Sequence, residues 1–225
     1  LVPVARHLQA QGIEQLGVAF LEEGVALRRA GITLPILVMG GIFGPQAEAL
    51  IAHDLEITVS SIDKLRQVEA AAESLGRVAT IHLKIDTGME RIGVHSYHAG
   101  PFIEAAVGSR WCRVKGVYSH LACADEPDSV MNESQLGTFR SITGKVPHKA
   151  ASLANSAGIG LGEVKQIERA CRIPARQRGI ARQRRKPRAG ARLAHRSLLA
   201  RGHKGSARVI PQVLKPVPGH GHASS

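Results

Sequence analysis

Residues 78–93 read Val78-Ala79-Thr80-Ile81-His82-Leu83-Lys84-Ile85-Asp86-Thr87-Gly88-Met89-Glu90-Arg91-Ile92-Gly93. The run Val78 to Ile85 predicts a strand, with glycines following in the turn. Side chains alternate along a strand, so Lys84 and Asp86 share one face at its C-terminal end. The same placement recurs twice downstream. His120 comes directly after a predicted strand over 112–119, and Asn155 and Ser156 follow another over 148–153. Three consecutive strands thus carry polar residues at their C-terminal ends. Barrels and open α/β sheets keep their chemistry there.

Upstream of this stretch, strand-like and helix-like runs alternate. Helices are predicted over 4–11, 21–30, 45–53, 61–75, 99–107 and 132–142, and strands over 15–20, 35–39, 55–59, 78–85, 112–119 and 148–153. Gly12, Gly31 and Gly76 mark helix ends, Ser61 reads as an N-cap, and Pro45 is placed in the first turn of its helix. Six continuous apolar strands separated by helices predict a parallel sheet with crossover helices, hence the α/β class. Two arrangements remain open on this evidence: an incomplete (β/α)8 barrel of the TIM type, and an open flavodoxin-like or Rossmann sheet. Gly40-Gly41 with Gly44 lacks dinucleotide-fingerprint spacing, and the glycines at 158, 160 and 162 are too weak a signal to decide.

Composition bounds the rest. The chain has 225 residues, 44% hydrophobic but only 3% aromatic, so its core must be aliphatic. No apolar run reaches transmembrane length, and the N-terminal residues lack a signal-peptide pattern. The three cysteines, Cys112, Cys123 and Cys171, are too few and scattered for a disulfide framework or zinc site, and a reducing cytoplasm is expected. His7, His53, His82, His95 and His98 show no metal-ligand arrangement.

The net charge of +12 deceives when averaged. Residues 1–168 hold all 18 acids and 15 of the 30 bases, whereas residues 169–225 hold the other 15 bases and no acid. Within that tail 12 residues are Arg, 9 Ala, 6 Gly and 5 Pro, and no aromatic follows Phe139. A basic arm on phosphate backbone would suit the charge, but it would have no stacking platform for bases. Out-of-frame translation of a GC-rich gene is the reading favoured over a nucleic-acid partner. The tail is expected to be disordered.

Lys84 to Gly93 resembles the Lys…Asp-Thr-Gly-Met…Arg-x-Gly signature of alanine racemases. Tyr118-Ser119-His120-Leu121-Ala122-Cys123-Ala124-Asp125 resembles that family's Ser-His…Ala-Asp segment, and Ala154-Asn155-Ser156-Ala157-Gly158 its Asn-Ser-Ala phosphate loop. Gly17 to Gly24 and Pro35 to Gly41 fit in order and spacing, so the resemblance covers about residues 1–160. It implies a barrel that binds pyridoxal 5′-phosphate, an isomerase interconverting L- and D-alanine for bacterial peptidoglycan, cytoplasmic and homodimeric, with no membrane partner. By position, Arg91 would bind the substrate carboxylate and touch the cofactor. Lys84 would be the family's carbamylated lysine, positioning Arg91, with Asp86 a second supporting residue. His120 would lie by the cofactor ring, and Asn155 and Ser156 at its phosphate.

The departures are equally specific. The family's Lys-x-x-Ala-Tyr-Gly-His-Gly motif, which carries the Schiff-base lysine, is absent from the 225 residues. So are the Arg-Pro-Gly segment after Ser156 and the β domain with its catalytic tyrosine. The expectation is a barrel-domain fragment over 1–160 with no catalytic base of its own, followed by a non-homologous tail over 169–225. Another pyridoxal-phosphate barrel racemase, or a basic nucleic-acid-binding protein, are the alternatives. Each residue also has a plainer role: Arg91 pairing with Glu90 or Asp86, Lys84 snorkelling at an edge, His120 satisfied in a core, and Asn155 capping the next helix.

Overall fold

Helix formation follows local sequence. In the helix α4 (Ile62–Ser74), Ser61 Oγ accepts the N–H of Lys64 at 3.2 Å, a cap contributing about 1 kcal/mol. Leu65, Val68, Ala71 and Ala72 recur at helical spacing and are the buried face. The chain leaves through Gly76 at φ +61°, where a side chain would be strained. The other helices are α1 (Val2–Ala10), α2 (Leu21–Arg29), α3 (Gln46–Ala52), α5 (Ala99–Gly108) and α6 (Val130–Thr143). Pro45 caps α3 from outside rather than opening its first turn, a shift of one residue from the expectation. The computed structural model describes residues 1–144, 146, 150–155 and 157–158. The expectations for Ser156 and for the tail over 169–225 lie outside the described residues.

The strands are β1 (Leu16–Val18), β2 (Ile36–Val38), β3 (Glu56–Val59), β4 (Ala79–Asp86), β5 (Val94–His95), β6 (Cys112–Tyr118) and β7 (Ala150–Ser152). Their order is β1-β2-β3-β4-β6-β7, every pairing is parallel, and β5 joins the end of β4 off this path. Among the described residues, neighbours follow chain order with no switch point. That excludes the doubly wound alternative and leaves a curled sheet, an incomplete α/β barrel wall.

Six strands are expected from sequence, and among the described residues there is a seventh. β5 was missed because two residues carry no alternation signal. It forms because Gly93 lets the turn fold back against β4. At φ +127°, a Cβ on Gly93 would lie 2.9 Å from the Asp86 nitrogen and 3.0 Å from the Lys84 oxygen.

The core lies between the sheet and the helices outside it. Ala79, Ile81, Leu83 and Ile85 of β4 pack with Leu65, Val68 and Ala72 of α4 and with Phe102 and Ala106 of α5. A fully buried Leu or Ile of this kind contributes about 1.5–3 kcal/mol. The alternate residues of β4, Thr80, His82, Lys84 and Asp86, take the other face of the sheet. There β4 departs from the continuous apolar strand expected. Lower on that face a buried polar cluster ties three strands together: the Glu56 carboxylate accepts from Gln15 at 2.6 Å, pairs with His82 at 2.6 Å and is bonded by Lys115. Burial would raise the Glu56 carboxyl, but the contacts from His82 and Lys115 outweigh it and hold it below the usual carboxylate range.

Candidate functional site

At the C-terminal end of the strands lies an open cavity of about 200 Å³. Gly17 and Val18 of β1, Met39 and Gly40 after β2, Lys84 of β4, Arg91 and Ile92 of its turn, and Tyr118 and His120 at the end of β6 line it. A Cβ on Gly40 would collide with the Ala19 carbonyl oxygen, so a glycine is required in this wall. Arg91, Lys84 and His120, three of the residues expected from sequence, therefore share one cavity.

Lys84 is 6% exposed, which rules out the snorkelling reading. Its ammonium lies 4.4 Å from the centroid of the Tyr118 ring. Burial first, then the neighbouring Arg91 charge, lower its pKa from 10.5 to about 7, with Asp86 opposing. Near neutrality a large share of this amine is unprotonated and nucleophilic. The Tyr118 hydroxyl is 2.7 Å from the Thr58 hydroxyl, and burial drives its pKa well above the ordinary tyrosine value. Tyr118 thus stays neutral and serves as a fixed platform under Lys84.

Asp86 does not reach the Arg91 guanidinium. Oδ1 accepts the N–H groups of Gly88 and Met89 at 2.8 and 2.9 Å, and Oδ2 accepts that of Arg91 at 3.1 Å. Burial would raise this carboxyl, but the backbone N–H donors outweigh it and keep it ionised. Asp86 is therefore a staple that shapes the turn carrying Arg91. Glu90 turns aside to His95, 3.6 Å away. Both acids proposed as partners for the Arg91 side chain are thus engaged elsewhere.

His120 is half-buried, and its pKa falls from 6.5 to about 4 through burial first, then the charges of Lys84 and Arg91. The imidazole is neutral at physiological pH. Asn155 is not among the residues lining the cavity. Its Nδ2 donates to the Leu121 carbonyl at 3.2 Å and its Oδ1 accepts the N–H of Gly158 at 3.0 Å, which is the capping role. That side chain is engaged locally, so an anion there would meet backbone N–H groups rather than the amide.

Two contributors were not expected from the sequence. Tyr118 is given no role by the sequence beyond its place in the strand before His120, and Gln135 of α6 carries no motif. The signal available for Gln135 was a polar residue on the stripe of Asn132, Leu136, Phe139 and Thr143 that α6 buries. Among the described residues no group of three or more His, Cys, Asp or Glu could hold a metal ion. No helix among them is long and apolar enough to cross a membrane.

Parallel strands in chain order, crossover helices and a cationic cavity at the strand C-termini define an α/β-barrel enzyme segment. Residues 1–172 match the family described as alanine racemase, N-terminal domain, and the chain belongs to the alanine racemase family. It is 37% identical over 163 residues to an alanine racemase of Syntrophobacter fumaroxidans, covering 71% of this chain and 44% of that one. The alanine racemase structure from Streptomyces lavendulae superposes with a TM-score of 0.68 at 34% identity, over 74% of this chain and 46% of that one. The Bacillus anthracis alanine racemase, determined with bound L-Ala-P, gives 0.63 at 32% identity, over 69% and 42%. The chain spans a little under half the length of these relatives.

Proposed function

We propose that residues 1–160 form the cofactor- and substrate-holding part of an alanine racemase barrel, with pyridoxal 5′-phosphate as cofactor and alanine as substrate. The observation that carries this reading is the convergence of Arg91, Lys84 and neutral His120 on one cavity. The fit to an anionic cofactor is favourable. Asp86 and Glu90 are engaged elsewhere, which leaves the Arg91 guanidinium to an anion in the cavity. When bound, pyridoxal phosphate supplies the electron sink that lets an amino acid lose its α-proton.

The chain's own residues have separable tasks. The Arg91 guanidinium holds a carboxylate and fixes the amino acid's orientation. His120, uncharged, stands beside the ring without adding positive charge. Lys84 attacks carbon dioxide through its unprotonated amine and releases a proton, which leaves a carbamate anion beside Arg91. Asn155 and Ser156 belong to the phosphate end, Asn155 through the turn it caps. A homodimer in the bacterial cytoplasm, with D-alanine passing to peptidoglycan, belongs to the same proposal. No nucleic-acid role is assigned to residues 169–225.

The Lys-x-x-Ala-Tyr-Gly-His-Gly motif is absent from these 225 residues. The polypeptide made of them alone therefore binds the cofactor without turnover. The test is to titrate it with pyridoxal phosphate by absorbance and to assay D-alanine from L-alanine with D-amino-acid oxidase. Saturable binding is expected, weakened about tenfold in Arg91→Ala, which corresponds to about 1.4 kcal/mol, together with no D-alanine. Absence of binding would sink the cofactor reading, and D-alanine formation would sink the claim of an inactive segment.

A further inference from the structure

Gln135 lies on the buried stripe of α6 and is 1% exposed. Its Oε1 accepts the N–H of Ala122 at 2.9 Å. Its Nε2 donates to the His120 carbonyl at 2.9 Å and to the Thr87 hydroxyl at 3.2 Å. The Thr87 hydroxyl is in turn 2.8 Å from that of Ser119. Gly88, whose φ of +134° favours glycine, lies directly against this side chain: a Cβ there would lie 3.4 Å from Gln135 Cγ. One amide therefore touches both the turn after β4 and the turn after β6. Arg91 belongs to the first turn, which Asp86 makes rigid. His120 belongs to the second.

We propose that Gln135 is a positioning residue whose amide bridges these two turns and sets the placement of His120 against Arg91. The inference rests on the reading of this cavity as the racemase site. Glutamine suits the task because the bridge needs one acceptor and two donors at a fixed reach. An ionised Glu has no donor, Met has no donor and only a weak acceptor, and Asn is one methylene short. Buried partners left without a bond would be unsatisfied, and the turns would drift to recover water. The groups facing His120 are Lys84 from β4 and Arg91 from its turn. Any change in spacing between the turns alters the charge that the imidazole feels.

The experiment uses the 225-residue chain with ¹³C-labelled histidine in buffers freed of carbon dioxide, so that Lys84 stays an amine. Three quantities are read: the His120 titration midpoint, exchange of the Ala122 amide, and affinity for 4-deoxypyridoxine phosphate, which has no aldehyde to react with a lysine. In Gln135→Met the midpoint is expected to rise from about 4 by about one pH unit toward 6.5 as the ring regains water and leaves the two cations. Ala122 exchange should rise at least about tenfold, and ligand affinity should fall by about tenfold. A general loss of stability would speed exchange but leave the midpoint in place, so the midpoint carries the decision. A folded Gln135→Met chain with an unmoved midpoint overturns the proposal. Should that variant fail to fold, Thr87→Val decides: a smaller upward shift supports the bridge, and none overturns it. If the unaltered chain fails to bind the phosphate ligand while Gln135→Met still moves the midpoint, the cofactor reading falls and the bridge stands.

Discussion

Replacing Lys84 by Met should stabilise the protein in acid and lose that advantage in base. The buried amine titrates at about 7 rather than 10.5, because burial, followed by Arg91, disfavours the ammonium. Below pH 7 the amine is charged in both folded and unfolded chains, and the folded state bears the full penalty. Between 7 and 10.5 the folded chain has released the proton while the unfolded chain still holds it, so stability rises with pH. Above 10.5 both forms are neutral and the amine no longer distinguishes them. At 1.36 kcal/mol for each tenfold change, the shift corresponds to about 5 kcal/mol. Losing the ammonium's contact with the Tyr118 ring returns about 1–2 kcal/mol. Lys84→Met should therefore be more stable than the unaltered chain at pH 6 by about 3 kcal/mol, with the gap shrinking by pH 10. The assay is urea unfolding of both chains at pH 6, 8 and 10 in buffers freed of carbon dioxide, so that no carbamate forms. A variant less stable at pH 6, or a gap independent of pH, would refute the reasoning.

Glu56→Gln should destabilise the fold by about 3–5 kcal/mol at pH 7, because it leaves Lys115 without its buried counter-charge and weakens the contact to His82. The Glu56 carboxyl is held below its unfolded value, so its contribution is present above the ordinary carboxylate range and is lost as pH falls through the folded pKa. Denaturant midpoints of the two chains should converge in acid, and a constant difference would contradict the cluster's charge. Gly93→Ala should cost more than about 2 kcal/mol, since its Cβ would meet the Asp86 nitrogen at 2.9 Å on a backbone of φ +127°. Thermal unfolding would test this, and an unchanged Tm would show that β5 is dispensable.

Helix ends and the order of elements could be read locally. Ser61, Gly12, Gly31 and Gly76 act through bonds and dihedrals within a few residues of themselves, so the sequence states them directly. The face shared by Lys84 and Asp86 also follows from strand periodicity alone. The choice between barrel wall and open sheet did not. It depends on which strands neighbour one another, and only the registers of β1 to β7 decide that.

The sequence by itself determined that strands and helices alternate and that Lys84, Asp86, Arg91, His120 and Asn155 sit at strand ends. Only the tertiary structure decided what each does there. It turned Asp86 into a staple for the Arg91 turn, gave Asn155 to a cap, set Tyr118 beneath Lys84 and placed Gln135 between two turns. The Thr58–Tyr118 bond joins residues 60 apart and the Gln135–Thr87 bond residues 48 apart. Periodicity and capping act within a few residues, whereas these contacts exist only where strand register and sheet curvature bring distant side chains within 3 Å or so.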